Sequence, residues 1–256
     1  MEGMKKTLRL YKKMSETPLE CIQRFKNENS EYLDEKMTYA GRLDPMAEGK
    51  LLVLVGEECK KKEEYLGFDK EYEVDVLFGF STDTFDVLGL VNQNLLVAQL
   101  PKDLDLVEFK GKVQMFLDNL VGKQIQEYPS FSSKTIDGKQ LFQITKDGEL
   151  EGQEIPTKKI EIYETELLKN YYISGRDLKG DIMKRVLLVN GDFRQEEILN
   201  KWNQVLGGRE EEQFLVSRIR VKCSSGTYMR SIAQNLGDVL GIGALALGIK
   251  RTKIFG

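Results

Sequence analysis

At 256 residues, with 41% hydrophobic and 31% charged residues, the chain can bury a sizeable core and shows neither collagen-like nor disordered bias. Its formal charge of −3 argues weakly against a nucleic-acid partner but leaves room for a basic groove on an acidic body. It contains no histidine, so a general acid or base must be a carboxylate, Tyr, Lys or Cys; Cys21, Cys59 and Cys223 lie far apart, which excludes structural zinc and fits reduced thiols better than a disulfide framework.

The start, MEGMKKTLRLYKK, is basic, but no apolar stretch follows it, and no later segment approaches the roughly 20 apolar residues of a membrane span. A cytoplasmic protein with no membrane partner is expected. TPLECIQRFKNEN, from Thr17, reads as a helix: Thr17 can cap, Pro18 suits the first turn, and Leu19, Ile22 and Phe25 recur at helical spacing. LLVLVGE reads as a buried strand, and Lys60, Lys61 and Lys62 ahead of Glu63 and Glu64 as a charged helix face.

YEVDVLFGF, from Tyr72 to Phe80, alternates as a half-buried strand does, and STDTFDVLG after it has loop composition. VEFKGKVQMFLDNL is a helix by spacing, FLVSRIRVKC a strand, and TYMRSIAQNLGDVLG a helix ending at Gly237 or Gly241. Between them, residues 170–212 carry weaker signals around one helical stretch, GDFRQEEILNKWNQVL, and are expected as a surface insertion. Strands and helices mix without regular βαβ alternation. The expectation is an α+β fold, one domain over residues 1–256, around a mixed, largely antiparallel sheet.

The stretch YAGRLDPMAEGK holds a lone aspartate. Pro45 disfavours the helical region for Asp44, so the carboxylate sits in a turn or loop leading into the buried strand. A shaped loop on a rigid scaffold suits a catalytic group. An Asx-turn with Arg42 as its solvated neighbour fits the turn chemistry as well, and periodicity does not choose between them.

Five ordered segments resemble the TruB-type tRNA pseudouridine synthases: GRLDPMAEGKLLVLVGEECK, KEYEVDVLFGFSTDTFDVLG, YPSFSSKTIDGKQLF, CSSGTYMRSIAQNLGDVLG and GIKRTKIFG. The resemblance implies the pseudouridine synthase catalytic fold and isomerisation of uridine 55 in the T-loop of tRNA, with no cofactor and no metal demanded. It implies that Asp44 is the catalytic aspartate, that Tyr72 stacks on the extruded uracil, that Arg230 pairs with the aspartate, and that Tyr228 lies beside the base as a candidate proton acceptor. Tyr39 stands where bacterial relatives carry a histidine at the base-flipping site, and an aromatic there can still stack. Arg42 and, with a small register difference, Lys134 complete the substrate-binding set. Where many relatives continue into an RNA-binding PUA domain, this sequence stops at Gly256, so a catalytic domain without it is expected. A monomer is favoured.

From local pattern alone, Tyr72 also fits a core position, Arg230 a surface helix arginine, and Tyr228 a buried hydroxyl bonded to backbone. Lys5, Lys6, Arg9, Lys12 and Lys13, Lys134 and Lys139, and Lys250, Arg251 and Lys253 form basic clusters suited to an RNA backbone or to plain solvation. An RNA-binding protein or tRNA-folding chaperone with little catalysis, or a synthase for another RNA, is the alternative.

Overall fold

The computed structural model describes residues 6–92, 105–150 and 152–256. Lys5, one of the expected basic residues, lies outside them. Within these residues the fold is α+β. Strands β1 (Thr7–Lys12), β3 (Ala47–Val55), β10 (Ala244–Phe255), β4 (Asp69–Phe78), β9 (Gln213–Cys223), β8 (Thr157–Ser174) and β5 (Gly122–Glu127) lie side by side in that order, with β2 (Met37–Ala40) paired to β3. The β3–β10 pair is parallel and the other pairs of this sheet are antiparallel, while β6 (Thr135–Ile136) and β7 (Lys139–Gln140) form a separate antiparallel pair ahead of a short helix α4 (Leu141–Lys146).

Local chemistry sets the helix ends. Helix α1 (Pro18–Glu28) starts in a capping box: the Glu20 amide donates to the Thr17 hydroxyl at 3.2 Å and the Thr17 amide to the Glu20 carboxylate at 2.6 Å. Its buried face is Pro18, Cys21 and Ile22, whereas Leu19 is exposed, so the apolar stripe sits about one position away from the expected one. The lysine run at 60–62 straddles a 3-10 turn over Gly56–Lys61 and a short helix α2 (Lys62–Leu66), with Lys60 and Lys61 paired three residues back to Glu57 and Glu58.

Helix α3 (Leu106–Leu120) and helix α7 (Met229–Leu240) pack Phe109, Val113, Leu117, Ile232 and Leu236 against Val74, Val76, Ile219 and Val221 on one sheet face. Helix α7 runs through Gly237 and stops at Gly241, which takes a left-handed conformation. A side chain at Gly237 would strike the backbone of Gly243 and Ala244, so this glycine serves close packing rather than termination.

The expectation of a surface insertion at 170–212 is overturned. Residues up to Ser174 continue β8, paired with β9 as far as Ser174 opposite Gln213. Helices α5 (Gly175–Leu188) and α6 (Gln195–Leu206) then bury Leu178, Ile182, Ile198 and Trp202 against Leu77, Phe80, Val216 and Leu245 on the other sheet face. Charged residues on their outer faces hide this second core from a reading of composition. The Trp202 indole donates to the Val87 carbonyl at 3.2 Å, tying α6 to the STDTFDVLG loop. Trp202→Ala is therefore expected to cost about 3–5 kcal/mol in urea unfolding. A variant as stable as the parent would return the segment to the surface.

Candidate active site

Asp44 sits in the turn between β2 and β3. Its carbonyl accepts from the Ala47 amide at 3.0 Å, and the Ser15 amide donates to the Pro45 carbonyl at 2.8 Å. Beneath the turn the fully buried Lys12 ammonium donates to the carbonyls of Ala47 at 2.5 Å, Lys13 at 3.1 Å and Pro45 at 3.4 Å. Burial pushes the Lys12 pKa down to about 8, with the Asp44 charge opposing that shift. Gly49, at φ +112°, lets β3 run against the Arg251 backbone, where any side chain would collide. The aspartate thus stands on a turn pinned from below.

Arg230, in the first turn of α7, meets it from the other side. Its Nε donates to Asp44 Oδ2 at 2.8 Å, Nη1 to the Thr84 carbonyl at 2.8 Å and Nη2 to the Phe131 carbonyl at 3.4 Å. The Arg230 side chain is 4% exposed and that of Asp44 32%, so the pair has a dry cationic side and a reachable anionic one. Burial works against the guanidinium charge, and Asp44 and Asp86 more than offset it, raising the Arg230 pKa further. An arginine so held orients the carboxylate and compensates its burial.

Asp86, from the T-D-T-x-D stretch, is the second carboxylate, 3.8 Å from Arg230. It accepts from the Thr84 hydroxyl at 2.7 Å and the Leu88 amide at 2.9 Å. Burial pushes its pKa up to about 6, with Arg230 opposing. Because the folded value lies above the ordinary aspartate value of 3.8, the native state holds a proton there that the unfolded chain has lost, and stability falls as pH rises from about 4 to about 6. Relative to Asp86→Asn, the parent is expected to lose about 2–3 kcal/mol between pH 4 and pH 7, read by urea unfolding at the two pH values. A pH-independent difference would contradict a buried, raised Asp86.

A cavity of about 180 Å³ opens beside the pair, lined by Asp44, Tyr72, Tyr228 and Arg230 among others. Tyr72 is buried on β4, and burial raises its phenol pKa. Tyr228 stands at the start of α7 with its backbone clamped by Gln126 of β5: its amide donates to Gln126 Oε1 at 2.8 Å and its carbonyl accepts from Gln126 Nε2 at 3.1 Å. Burial, then the Asp44 charge, raise the Tyr228 pKa, so the resting side chain is a neutral phenol rather than a phenolate base. Two tyrosines, a carboxylate and an arginine thus line one cavity.

Residues 30–182 match the family described as "TruB family pseudouridylate synthase (N terminal domain)". The chain belongs to the TruB family. Curated relatives named tRNA pseudouridine synthase B include that of Endomicrobium trichonymphae, 29% identical over 221 residues and covering 86% of this chain and 73% of the relative. That of Parabacteroides distasonis is 26% identical, over 95% of this chain and 83% of the relative. That of Francisella tularensis subsp. holarctica (strain LVS) is 26% identical, over 86% and 56%. Among solved structures, a Cbf5–Nop10–Gar1 complex aligns with a TM-score of 0.54 at 18% identity, covering 97% of this chain and 48% of that one. An H/ACA RNP bound to a substrate RNA containing 2′-deoxyuridine aligns at 0.51 and 17%, covering 97% and 47%. This chain spans about half of those two chains, and at such identities the likeness speaks for the fold alone.

Against the TruB motifs, the remaining expected residues divide. Arg42 is exposed, lines the cavity and has no hydrogen-bond or ion-pair partner among the described residues. Lys134 stands one step back, its Nζ 5.4 Å from the centre of the Tyr128 ring, which meets Tyr228 edge-on at 5.7 Å. Tyr39 is not brought to the cavity: it packs on the α1 side against Cys21, Ile22, Leu51 and Val53, with Lys62 5.2 Å above its ring. Its place on β2 turns the side chain away from Asp44. Much of the expected basic surface is also committed internally: Lys12 and Arg251 are buried, Lys139 pairs with Asp147 at 2.6 Å and Glu149 at 2.7 Å, and Lys253 with Glu71 at 3.0 Å.

Sequence pattern does not single out Asp86 or Gln126, and it places Lys12 in a basic surface cluster rather than beneath the Asp44 turn. Asp86 lies within the T-D-T-x-D stretch and carries the signal of a second aspartate three residues beyond Asp83. Gln126 and Lys12 act through backbone groups and carry no local pattern. A second cavity of about 320 Å³ shares Arg42, Asp44 and Arg230 with the first and extends to Phe142, Phe193 and Arg194, the last held by Asp83 at 2.7 Å and lying 4.4 Å above the Phe131 ring. The 170–212 segment therefore also borders the site.

Proposed function

We propose that this chain converts uridine to pseudouridine in tRNA, acting on uridine 55 of the T-loop with Asp44 as the catalytic carboxylate. The observation that carries the reading is the Asp44–Arg230 pair at 2.8 Å on the wall of a cavity that Tyr72 and Tyr228 also line. The reaction cleaves the bond from ribose to N1, turns the uracil and rejoins it through C5. Asp44 serves as nucleophile or as base at the ribose. Arg230 fixes its orientation, Tyr72 stacks on the base, and the neutral Tyr228 phenol stands beside it.

Extruding the nucleotide costs a few kcal/mol of unstacking, of which stacking on Tyr72 returns about 1–3 kcal/mol. Arg42, exposed at the cavity mouth, contacts the RNA backbone, and Lys134, set back beside the Tyr128 ring, reaches the same strand. The protein works as a monomeric catalytic unit on the T-arm in the cytoplasm, where its cysteines stay reduced. Incubation with an unmodified T-arm stem-loop and with full tRNA transcripts, followed by carbodiimide-dependent primer extension, is expected to give a stop at the T-loop uridine. Binding of these RNAs without a stop at any uridine would overturn the reading. A stop elsewhere in the tRNA would keep the reaction and replace the site.

A further inference from the structure

Two cations in the cavity are not explained by RNA-backbone contact or by the Asp44–Arg230 pair. Lys70 is 4% exposed and Arg251 1% exposed, and both line the cavity that Asp44 and Tyr72 share. Lys70 Nζ donates to the Leu66 carbonyl at 3.1 Å, and Arg251 donates to the carbonyls of Lys50 at 2.6 Å and Gly41 at 3.1 Å. Neither has an ion-pair partner among the described residues. A buried charge ordinarily has an opposite charge beside it. Here burial, with Arg251 adding to it, pushes the Lys70 pKa down to about 8, as befits a cation facing another cation instead.

Sheet register gives these charges their direction. Arg251 on β10 lies directly opposite Tyr72 on β4, and Lys70 is two residues from Tyr72 on the same strand, so all three side chains belong to one face. Gly41, at φ +82°, passes over them: a side chain there would lie 3.5 Å from Arg251 Nη1 and 3.8 Å from Lys70 Nζ. A planar base stacked on Tyr72 therefore has the two cationic heads as its neighbours, with Asp44 toward the sugar. A phosphodiester stays at the rim with the strand, where the exposed Arg42 stands. The base goes deepest, and these cations are deep.

We propose that Lys70 and Arg251 form an oxyanion subsite that takes the uracil carbonyl oxygens and carries the negative charge that the base acquires when it leaves the ribose. The inference rests on the proposed isomerase reading and adds a catalytic role to two residues. On cleavage, the N1–C1′ electron pair stays with uracil, giving a monoanion whose charge spreads from N1 onto O2 and O4. Bond formation from C5 to C1′, loss of the C5 proton and gain of one proton at N1 restore a neutral base, so no oxidant or reductant is needed. Fixed donors at the atoms where charge develops lower the barrier most when water is excluded from them.

The test is Lys70→Met, with Lys70→Gln as a second variant should the first fail to fold, assayed in single turnover with protein in excess over a T-arm transcript. The expected result is a rate at saturation lower on the order of 10²-fold. RNA affinity and its salt dependence stay at the parent values. A weaker affinity with the salt slope lower by about 0.7–0.9 and an unchanged saturated rate would overturn the inference and make Lys70 a phosphate contact. Parent rate and parent affinity together would overturn it as well. A parent protein inactive on every tRNA would sink the isomerase reading too, whereas an active parent matched by Lys70→Met sinks this inference alone.

Discussion

Asp44→Asn is expected to leave the fold and most RNA affinity intact while lowering turnover by about 10⁴-fold or more, the scale on which a catalytic nucleophile or base is lost. Asparagine keeps the size of the side chain and an oxygen for the Arg230 Nε, which now donates to Asp44 at 2.8 Å. It has no charge with which to attack the ribose or take a proton. The turn around it is held through backbone carbonyls by Lys12 and through the Ser15 amide, none of which uses the Asp44 carboxylate. Circular dichroism and thermal melting close to the parent, with filter-binding affinity retained, would accompany the loss of pseudouridine. Substantial turnover by a verified Asp44→Asn protein would remove Asp44 from the chemistry.

Arg230→Ala is expected to damage both stability and activity. Removing the guanidinium leaves Asp86 buried beside Asp44 with no cation between them and takes the donors from the Thr84 and Phe131 carbonyls. Losing one partner of a buried ion pair costs about 3–5 kcal/mol, to be read by urea unfolding at neutral pH. Because Arg230 holds the Asp86 pKa down against burial, its removal raises that pKa further, and the loss should lessen as pH falls toward about 6, where Asp86 is protonated in the variant. Arg230→Lys restores a charge without the planar fork and should recover stability more than turnover. An effect of Arg230→Ala confined to RNA affinity would put this residue on a phosphate instead.

Where local chemistry fixes an element, the sequence declares it. The Thr17 cap with Pro18 in the first turn, the apolar run into β3 and the alternation of β4 each correspond to an observed element. Where tertiary contact decides, it does not. Gly237 and Gly241 are both plausible helix ends by composition, and what separates them is the backbone of Ala244 packed against the first. Residues 170–212 look like surface because the polar faces of α5 and α6 outnumber a buried stripe whose partner, the sheet face around Phe80 and Leu245, is distant in sequence.

The site divides in the same way. Pro45 makes the Asp44 turn readable, but its partner Arg230 lies 186 residues away, and only the ordered TruB motifs join the two. Tyr39, placed at the base-flipping site by resemblance, stands on β2 with its ring in the α1 cluster. Lys70 and Arg251 read as ordinary charges of a strand and a basic terminus. Register across β4 and β10 sets them beside Tyr72.

The most direct test of the central claim follows the hydrogen that isomerisation must release. A tRNA transcript labelled with tritium at C5 of uridine, incubated with the parent protein and in parallel with Asp44→Asn, is predicted to free tritium into water only with the parent, to a plateau equal to one uridine per tRNA. No release by a parent protein that binds the transcript, or equal release by Asp44→Asn, would contradict an aspartate-dependent uridine isomerase.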